Sequence, residues 1–364
     1  MNKLLLSFSL ISLLFFSCKN STNSELLVEE SSENLDTLRY EEEIHLRNLQ
    51  QLTFGGDNAE AYWSFDGKSL VFQRKHEDSG VMCDQIFIGD IPAANEAFSF
   101  KLASTGLGRT TCSYFLQGDS TIIYASTHLA NDACPAEPDK SLGYVWALYP
   151  EFEIFIADRA GNILEQLTDN EFYDAEATTS PQGNKIVYTS TKSGDIELYV
   201  LDLDTREEIQ ITDELGYDGG AFFSPDGSKL VWRSSRPKTD EEVKHYKDLL
   251  ANNLVEPSDM ELYISDADGS NKIKVTSLGG ANWAPFFHPS GNKILFSSNH
   301  VTGMFPFNLF MVNLDGTGLE QITFDNTFDS FPMFSPDGKY LVFSSNRNNG
   351  GTRDTNMFLA EWVD

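Results

Sequence analysis

Aligned on a recurrent turn glycine, the sequence places Asn58, Thr110, Asp174, Asp218, Asn282 and Asp329 at one equivalent position, each offering an oxygen. Two residues later stand Glu60, Cys112, Glu176, Gly220, Ala284 and Phe331. A second series, His76, His128, Lys192, Arg236, His300 and Arg347, supplies a cation or an imidazole once per repeat. Carboxylates such as Asp174, Glu176, Asp218 and Asp329 suit a hard cation, calcium in particular. Arg109, Arg233, Arg236 and Arg347 suit an anionic group, which guanidinium grips through paired hydrogen bonds. The two series can equally satisfy each other as ion pairs between repeats, each pair weak where solvent reaches it. No EF-hand-like loop is present, so a calcium site rests on inferred placement and not on a motif.

Of four cysteines, Cys83, Cys112 and Cys134 map to neighbouring repeats and to one end of them. In an exported chain one disulfide among the three is the default, Cys112 to Cys134 or Cys83 to Cys112, with one thiol left over. Thiolates with His128 would suit zinc or copper, but no Cys-x-x-Cys spacing supports this. Neither Gly-x-Ser-x-Gly nor His-Glu-x-x-His occurs. A metal-dependent lyase or hydrolase would draw on His76, His128 and His300, yet nothing in the sequence poises a base beside a substrate. Binding without turnover is the expectation.

The elements that must position these residues begin after an export signal. Met1-Asn2-Lys3 leads an apolar run from Leu4 to Phe16, too short to span a bilayer. Ser17-Cys18 follows in the manner of a lipoprotein processing box, so residues 1–17 are expected to be removed and Cys18 to carry lipid. That lipid is the expected contact with membrane. Residues 18–43, polar and acidic, read as a solvated tether. With 26 Lys and Arg against 55 Asp and Glu, the formal net charge of −29 excludes nucleic acid and anionic lipid as natural partners.

From residue 44 the chain repeats. Ser180-Pro181-Gln182-Gly183, Ser224-Pro225-Asp226-Gly227, His288-Pro289-Ser290-Gly291 and Ser335-Pro336-Asp337-Gly338 share one pattern, with looser copies at Ser64-Phe65-Asp66-Gly67 and Leu116-Gln117-Gly118-Asp119-Ser120. Each precedes a β-branched and aromatic run such as Lys229-Leu230-Val231-Trp232, which reads as a tight hairpin. A third strand, an Asp-Gly-type turn and a fourth strand ending in Thr follow, as in Glu320-Gln321-Ile322-Thr323. Four antiparallel strands repeated radially make a propeller blade. The last repeat stops after its third strand, whereas Asn48–Thr53 is an orphan fourth strand, so the N-terminal strand should close the ring. The expectation is an all-β, six-bladed propeller over residues 44–364.

These motifs resemble the repeats of the TolB-type propeller family from about residue 48 to 364. The resemblance implies a partner-binding module; relatives also serve as gating domains of serine peptidases, which makes an accessory peptidase propeller an alternative, and as sugar-acid lyases. The α/β domain that precedes the propeller in TolB is not expected here. The reading is therefore a monomeric lipoprotein of the outer membrane, facing periplasm or cell surface, whose partner is an envelope protein, a peptide or a glycan.

Two insertions, residues 129–151 and 236–259, both join second to third strands and should rise from one face, the face of the channel-mouth residues. In the second, Val243, Tyr246, Leu249 and Leu250 have helical spacing behind a Thr239 or Asp240 cap.

Overall fold

The structure, a computed structural model, describes residues 37–93 and 96–364. The signal, Cys18 and most of the expected tether lie outside the described residues.

Six four-stranded antiparallel sheets form the blades. Blade one runs Asp57–Trp63, Ser69–His76, Val81–Asp90 and Phe100–Leu102. Blades two to five begin with inner strands Thr110–Phe115, Asp174–Thr179, Tyr217–Phe223 and Asn282–Phe287. Blade six takes Asp329–Phe334, Tyr340–Ser345 and Asn356–Trp362, and its outer strand is Leu46–Gln51, which pairs antiparallel with Asn356–Trp362. The ring is thus closed by the N-terminal strand, as its orphan position predicted.

The repeated residues each have a local task. The Ser64, Ser224 and Ser335 hydroxyls donate to the aspartate two residues on, at 2.6–2.8 Å, and accept the N–H that opens the next strand. The turn glycines sit at φ near 70°, as Gly183 (71°) and Gly338 (72°) do, where a side chain would be strained. At the other end of each blade the hydroxyls of Thr53, Ser104, Thr168, Thr212, Thr276 and Thr323 accept a third-strand backbone N–H at 2.8–3.1 Å. That bond satisfies an N–H which the short fourth strand has stopped pairing. Between blades, Phe72, Tyr124, Tyr188, Trp232, Phe296 and Phe343, equivalent on the second strands, are fully buried.

The Thr212 hydroxyl sits beside Glu197, whose buried carboxyl is pushed up to about 8, mainly by loss of water. In the unfolded chain the same group ionises near the ordinary glutamate value of 4.5. Between those values the folded state holds the proton and the unfolded state does not, so stability falls as pH rises through the window. Glu197→Gln is expected to remove that slope. Urea titrations at pH 5 and pH 8 should show the native chain losing about 2 kcal/mol more than the variant.

The expected tether ends sooner than its composition suggests. Residues 37–43 pack against blade six, and Glu43 is fully buried. Its carboxylate accepts from both terminal nitrogens of Arg347 at 2.9 and 3.1 Å and from the N–H groups of Tyr40 and Phe324. Four donors are what make a buried carboxylate tolerable there.

Candidate functional site

Every inner strand carries a one-residue bulge, and the residue at it has positive φ: Glu60 (55°), Cys112 (44°), Glu176 (60°), Gly220 (60°), Ala284 (49°) and Phe331 (53°). A bulge cancels the two-residue alternation that would put this residue on the same side as the one two before it. The consequence separates two sets that sequence placed together. The bulge residues face the central channel. The preceding oxygen-bearing residues are all buried between blades, and of the six only Thr110 borders the space above the channel mouth.

There the two asparagines and the threonine tie neighbouring blades together, while the aspartates bond locally. Asn58 donates to the Thr355 carbonyl of blade six, Thr110 to the Asp84 carbonyl of blade one and Asn282 to the Met260 carbonyl of blade four. Asp174 accepts from Asn170, Asp218 from Trp232 and Arg236, and Asp329 from Arg347. Burial raises the carboxyls of Asp174, Asp218 and Asp329.

The cation series is likewise structural. His128, Lys192, Arg236, His300 and Arg347 lie over the third-strand rings of Phe155, Tyr199, Tyr263, Phe310 and Phe358. His128 and His300 also bond Ser126 and Ser298 at 2.9 Å, and burial lowers both imidazoles. Only Arg236 and Arg347 pair with the aspartate of their own blade; Lys192 reaches Glu208 instead. His76 bonds Arg74. The histidines considered for catalysis therefore sit in three different blades, each held locally.

The calcium reading fails on the same geometry. Asp174, Glu176, Asp218 and Asp329 each serve a separate partner, and among the described residues no three His, Cys, Asp or Glu converge on one point. The disulfide also differs from both expected pairings: Cys83 bonds Cys134, with Cα atoms 5.7 Å apart, and Cys112 is the free thiol. Cys112 is a bulge residue, so its side chain enters the channel and out of reach of the insertion.

What the structure does assemble is a cavity of about 400 Å³ above the channel mouth. Its roof comes from the two insertions, whose strands Trp146–Ala147 and Leu254–Val255 pair with each other across blade three. Helix α1, Asp240–Leu250, supports that ribbon; Thr239 caps it with a reciprocal Glu242 bond, and its Tyr246 and Leu250 pack with Leu148 and Val255. The helix thus covers core, as its spacing implied.

The walls are aromatic. Trp146 lies 5.7 Å from Trp283 and 6.3 Å from Tyr217, and Trp283 lies 5.0 Å from Phe331. The floor is charged. Glu176 holds Arg233 and accepts from the Thr189 hydroxyl and the Gly220 N–H; Arg233 also donates to the Tyr217 hydroxyl at 2.6 Å. Arg233 fills the space above blade four's bulge, where a Cβ on Gly220 would meet its guanidinium at 1.9 Å, so this bulge alone must be glycine. At the rim Arg109 spans Asp84, at 3.4 Å, and Glu137. Glu60 shares a hydrogen bond with Cys112, and burial pushes its carboxyl up to about 7. Burial also pushes the Cys112 thiol up. Below this layer Tyr62, Tyr114, Phe222 and Phe286 pack at 5.3–5.6 Å, and a space of about 30 Å³ remains in the channel between Tyr62, Phe222 and the bulge residues.

Of the residues singled out from sequence, Glu60, Arg109, Thr110, Cys112, Glu176, Arg233 and Phe331 meet in this site. Asn58, His128, Asp174, Asp218, Arg236, His300, Asp329 and Arg347 do not. Sequence reading missed Trp146, Tyr149, Tyr217 and Trp283; the Gly143-Tyr144-Val145-Trp146 run inside an otherwise polar insertion was the available signal.

Comparison with known proteins agrees with the geometry. Residues 248–353 match the model of the TolB beta propeller domain. Over those residues the repeat is similar to that of the TolB propeller. An Agrobacterium tumefaciens protein described as a TolB superposes with a TM-score of 0.53 at 17% identity, over 85% of this chain and 91% of that one. TolB of Acinetobacter baumannii gives 0.54 at 17%, over 82% and 65%. XC5397 of Xanthomonas campestris, a gluconolactonase, gives 0.54 at 12%, over 88% and 91%. At such identities the likeness establishes the fold alone. No curated protein is detectably similar in sequence.

Proposed function

We propose that this TolB-type propeller is an exported, Cys18-anchored envelope protein that binds a protein, peptide or glycan in the roofed cavity, without turnover. The observation that carries this reading is the cavity: an aromatic wall over a charged floor, enclosed by the first insertion, which a strand of the second braces. Ligand sites combine these features, apolar area for affinity and a few fixed polar groups for orientation. Around it the same face exposes Phe54, Leu129, Tyr144, Val301, Met304 and Phe305, more apolar surface than a face meant only for water carries. A macromolecular partner would cover it.

Trp146 and Trp283 report on occupancy through their fluorescence. Screening peptides and oligosaccharides against the purified chain should yield ligands that shift this emission and whose affinity falls at least about tenfold in Trp146→Ala, the loss of one aromatic anchor. Ligands indifferent to Trp146→Ala would place binding elsewhere.

A further inference from the structure

We propose that the cavity takes a peptide through a protonated primary amine, a lysine side chain or a free N-terminus, with Glu60 as its counter-ion; this rests on the cavity being a binding site. The charges lining it are unbalanced. Four carboxylates, Glu60, Asp84, Glu137 and Glu176, face two guanidinium groups, those of Arg109 and Arg233. Arg109 is spent on Asp84 and Glu137, and Arg233 on Glu176. Glu60 is left with the Cys112 thiol, and its Oε2 is buried with no hydrogen-bond partner. A buried carboxylate oxygen without a partner costs more than almost any other polar vacancy, and a cation offsets it best.

A second unpartnered atom gives direction. Trp283 Nε1 is buried in the wall of the same cavity and donates to nothing. An acceptor, Glu60 Oε2, that wants a donor and a donor, Trp283 Nε1, that wants a carbonyl together match a ligand carrying an ammonium group and an amide. The Trp283 ring suits the same group, since a cation is drawn to aromatic faces, whereas Trp146 already faces Arg233 at 5.3 Å. An anionic ligand, for which the arginines spoke in the sequence, meets guanidiniums whose charge is already matched by Asp84, Glu137 and Glu176, although the Nε of each makes no hydrogen bond. A neutral sugar would leave Glu60 without a counter-charge.

The groups facing Glu60 are Cys112, Glu176, Asp84 and Tyr62, with Arg233 the one cation. With its carboxyl at about 7, Glu60 is ionised above that pH and neutral below it, so amine binding should weaken as pH falls.

The test uses the purified full chain, tryptophan fluorescence and calorimetry, and two probes: acetyl-Gly-Lys-Gly-amide and its Nε-acetylated counterpart. The charged peptide should bind at least about tenfold more tightly at pH 8, and lose about tenfold between pH 8 and pH 6 as Glu60 takes up its proton. Glu60→Gln should erase the preference. Equal affinity for the two peptides on the native chain would overturn the proposal, a comparison that needs no variant to fold. Glucosamine matching the charged peptide would move the amine from peptide to sugar and overturn the peptide assignment. If chitotriose shifts the emission while both peptides fail, the cavity remains a binding site and the amine assignment falls. If no probe shifts it, both fall.

Discussion

Replacing Arg347 with alanine is expected to cost about 3–5 kcal/mol of folding stability, the largest loss any single polar substitution in this chain should produce. Its guanidinium is the shared partner of Glu43 and Asp329, each contacted at 2.9 Å, and both carboxylates are fully buried. Its ring contacts add Phe343 and Phe358 of blade six and Tyr40 of the N-terminal segment. Without it two buried carboxylates face each other, and one must take up a proton at neutral pH. The deficit should therefore shrink as pH is lowered, because a proton then stands in for the lost cation. Urea denaturation at pH 5 and pH 8 reads both quantities. Glu43→Gln should cost less, since Asp329 keeps its arginine. A loss under 1 kcal/mol for Arg347→Ala, equal at both pH values, would mean that the N-terminal segment does not latch blade six.

This latch also shows where sequence reading stops. Glu43 stands among Glu41, Glu42 and Arg39 in a polar stretch, and composition can only call such a stretch solvated. What buries Glu43 is Arg347, 304 residues away, and no local pattern announces that pairing. The blades were legible for the opposite reason: Ser-Pro-Asp-Gly and the β-branched runs act within a few residues of themselves, and the fourth-strand Thr of blades three to five acts 14 residues away inside its own repeat, so repetition shows them. The closing strand was legible because a repeat count left one strand over.

The channel was half legible. Alignment found the equivalent positions, and a strand's alternation then put Asp174 and Glu176 on one face. The bulge turns Glu176 into the channel and leaves Asp174 between blades. Glutamate, cysteine, alanine and phenylalanine at positive φ carry no turn signature, so only Gly219-Gly220 marked its bulge and nothing in the residues marked the other five. The calcium set failed with that alternation. The roof failed differently, because Trp146 and Leu254 lie in separate insertions and meet only when blade three is already folded beneath them.

The second large effect is expected from Cys83→Ser with Cys134→Ser, about 2–4 kcal/mol for a bond that closes a 51-residue separation. The bond joins the third strand of blade one to the insertion of blade two. Arg109 ties the same two parts a few residues away, through Asp84 and Glu137, and the Gly108 N–H reaches the Asp132 carbonyl at 2.9 Å. The insertion continues from there into Tyr149 and Trp146, so the disulfide anchors the cavity wall at its rim as well as constraining the unfolded chain. The double variant should then lose stability and, beyond that, ligand affinity at temperatures well below its Tm, because a loosened wall must be reordered on binding. In either single variant, Cys83→Ser or Cys134→Ser, Cys112 should not re-pair with the cysteine left over, because its side chain points into the channel and burial keeps it in the thiol form. Thiol counting on the native folded chain should accordingly find Cys83 and Cys134 oxidised and Cys112 unreactive until denaturant is added. A variant with unchanged affinity but lowered Tm would confine the disulfide to stability and leave Arg109 as the tie that shapes the site.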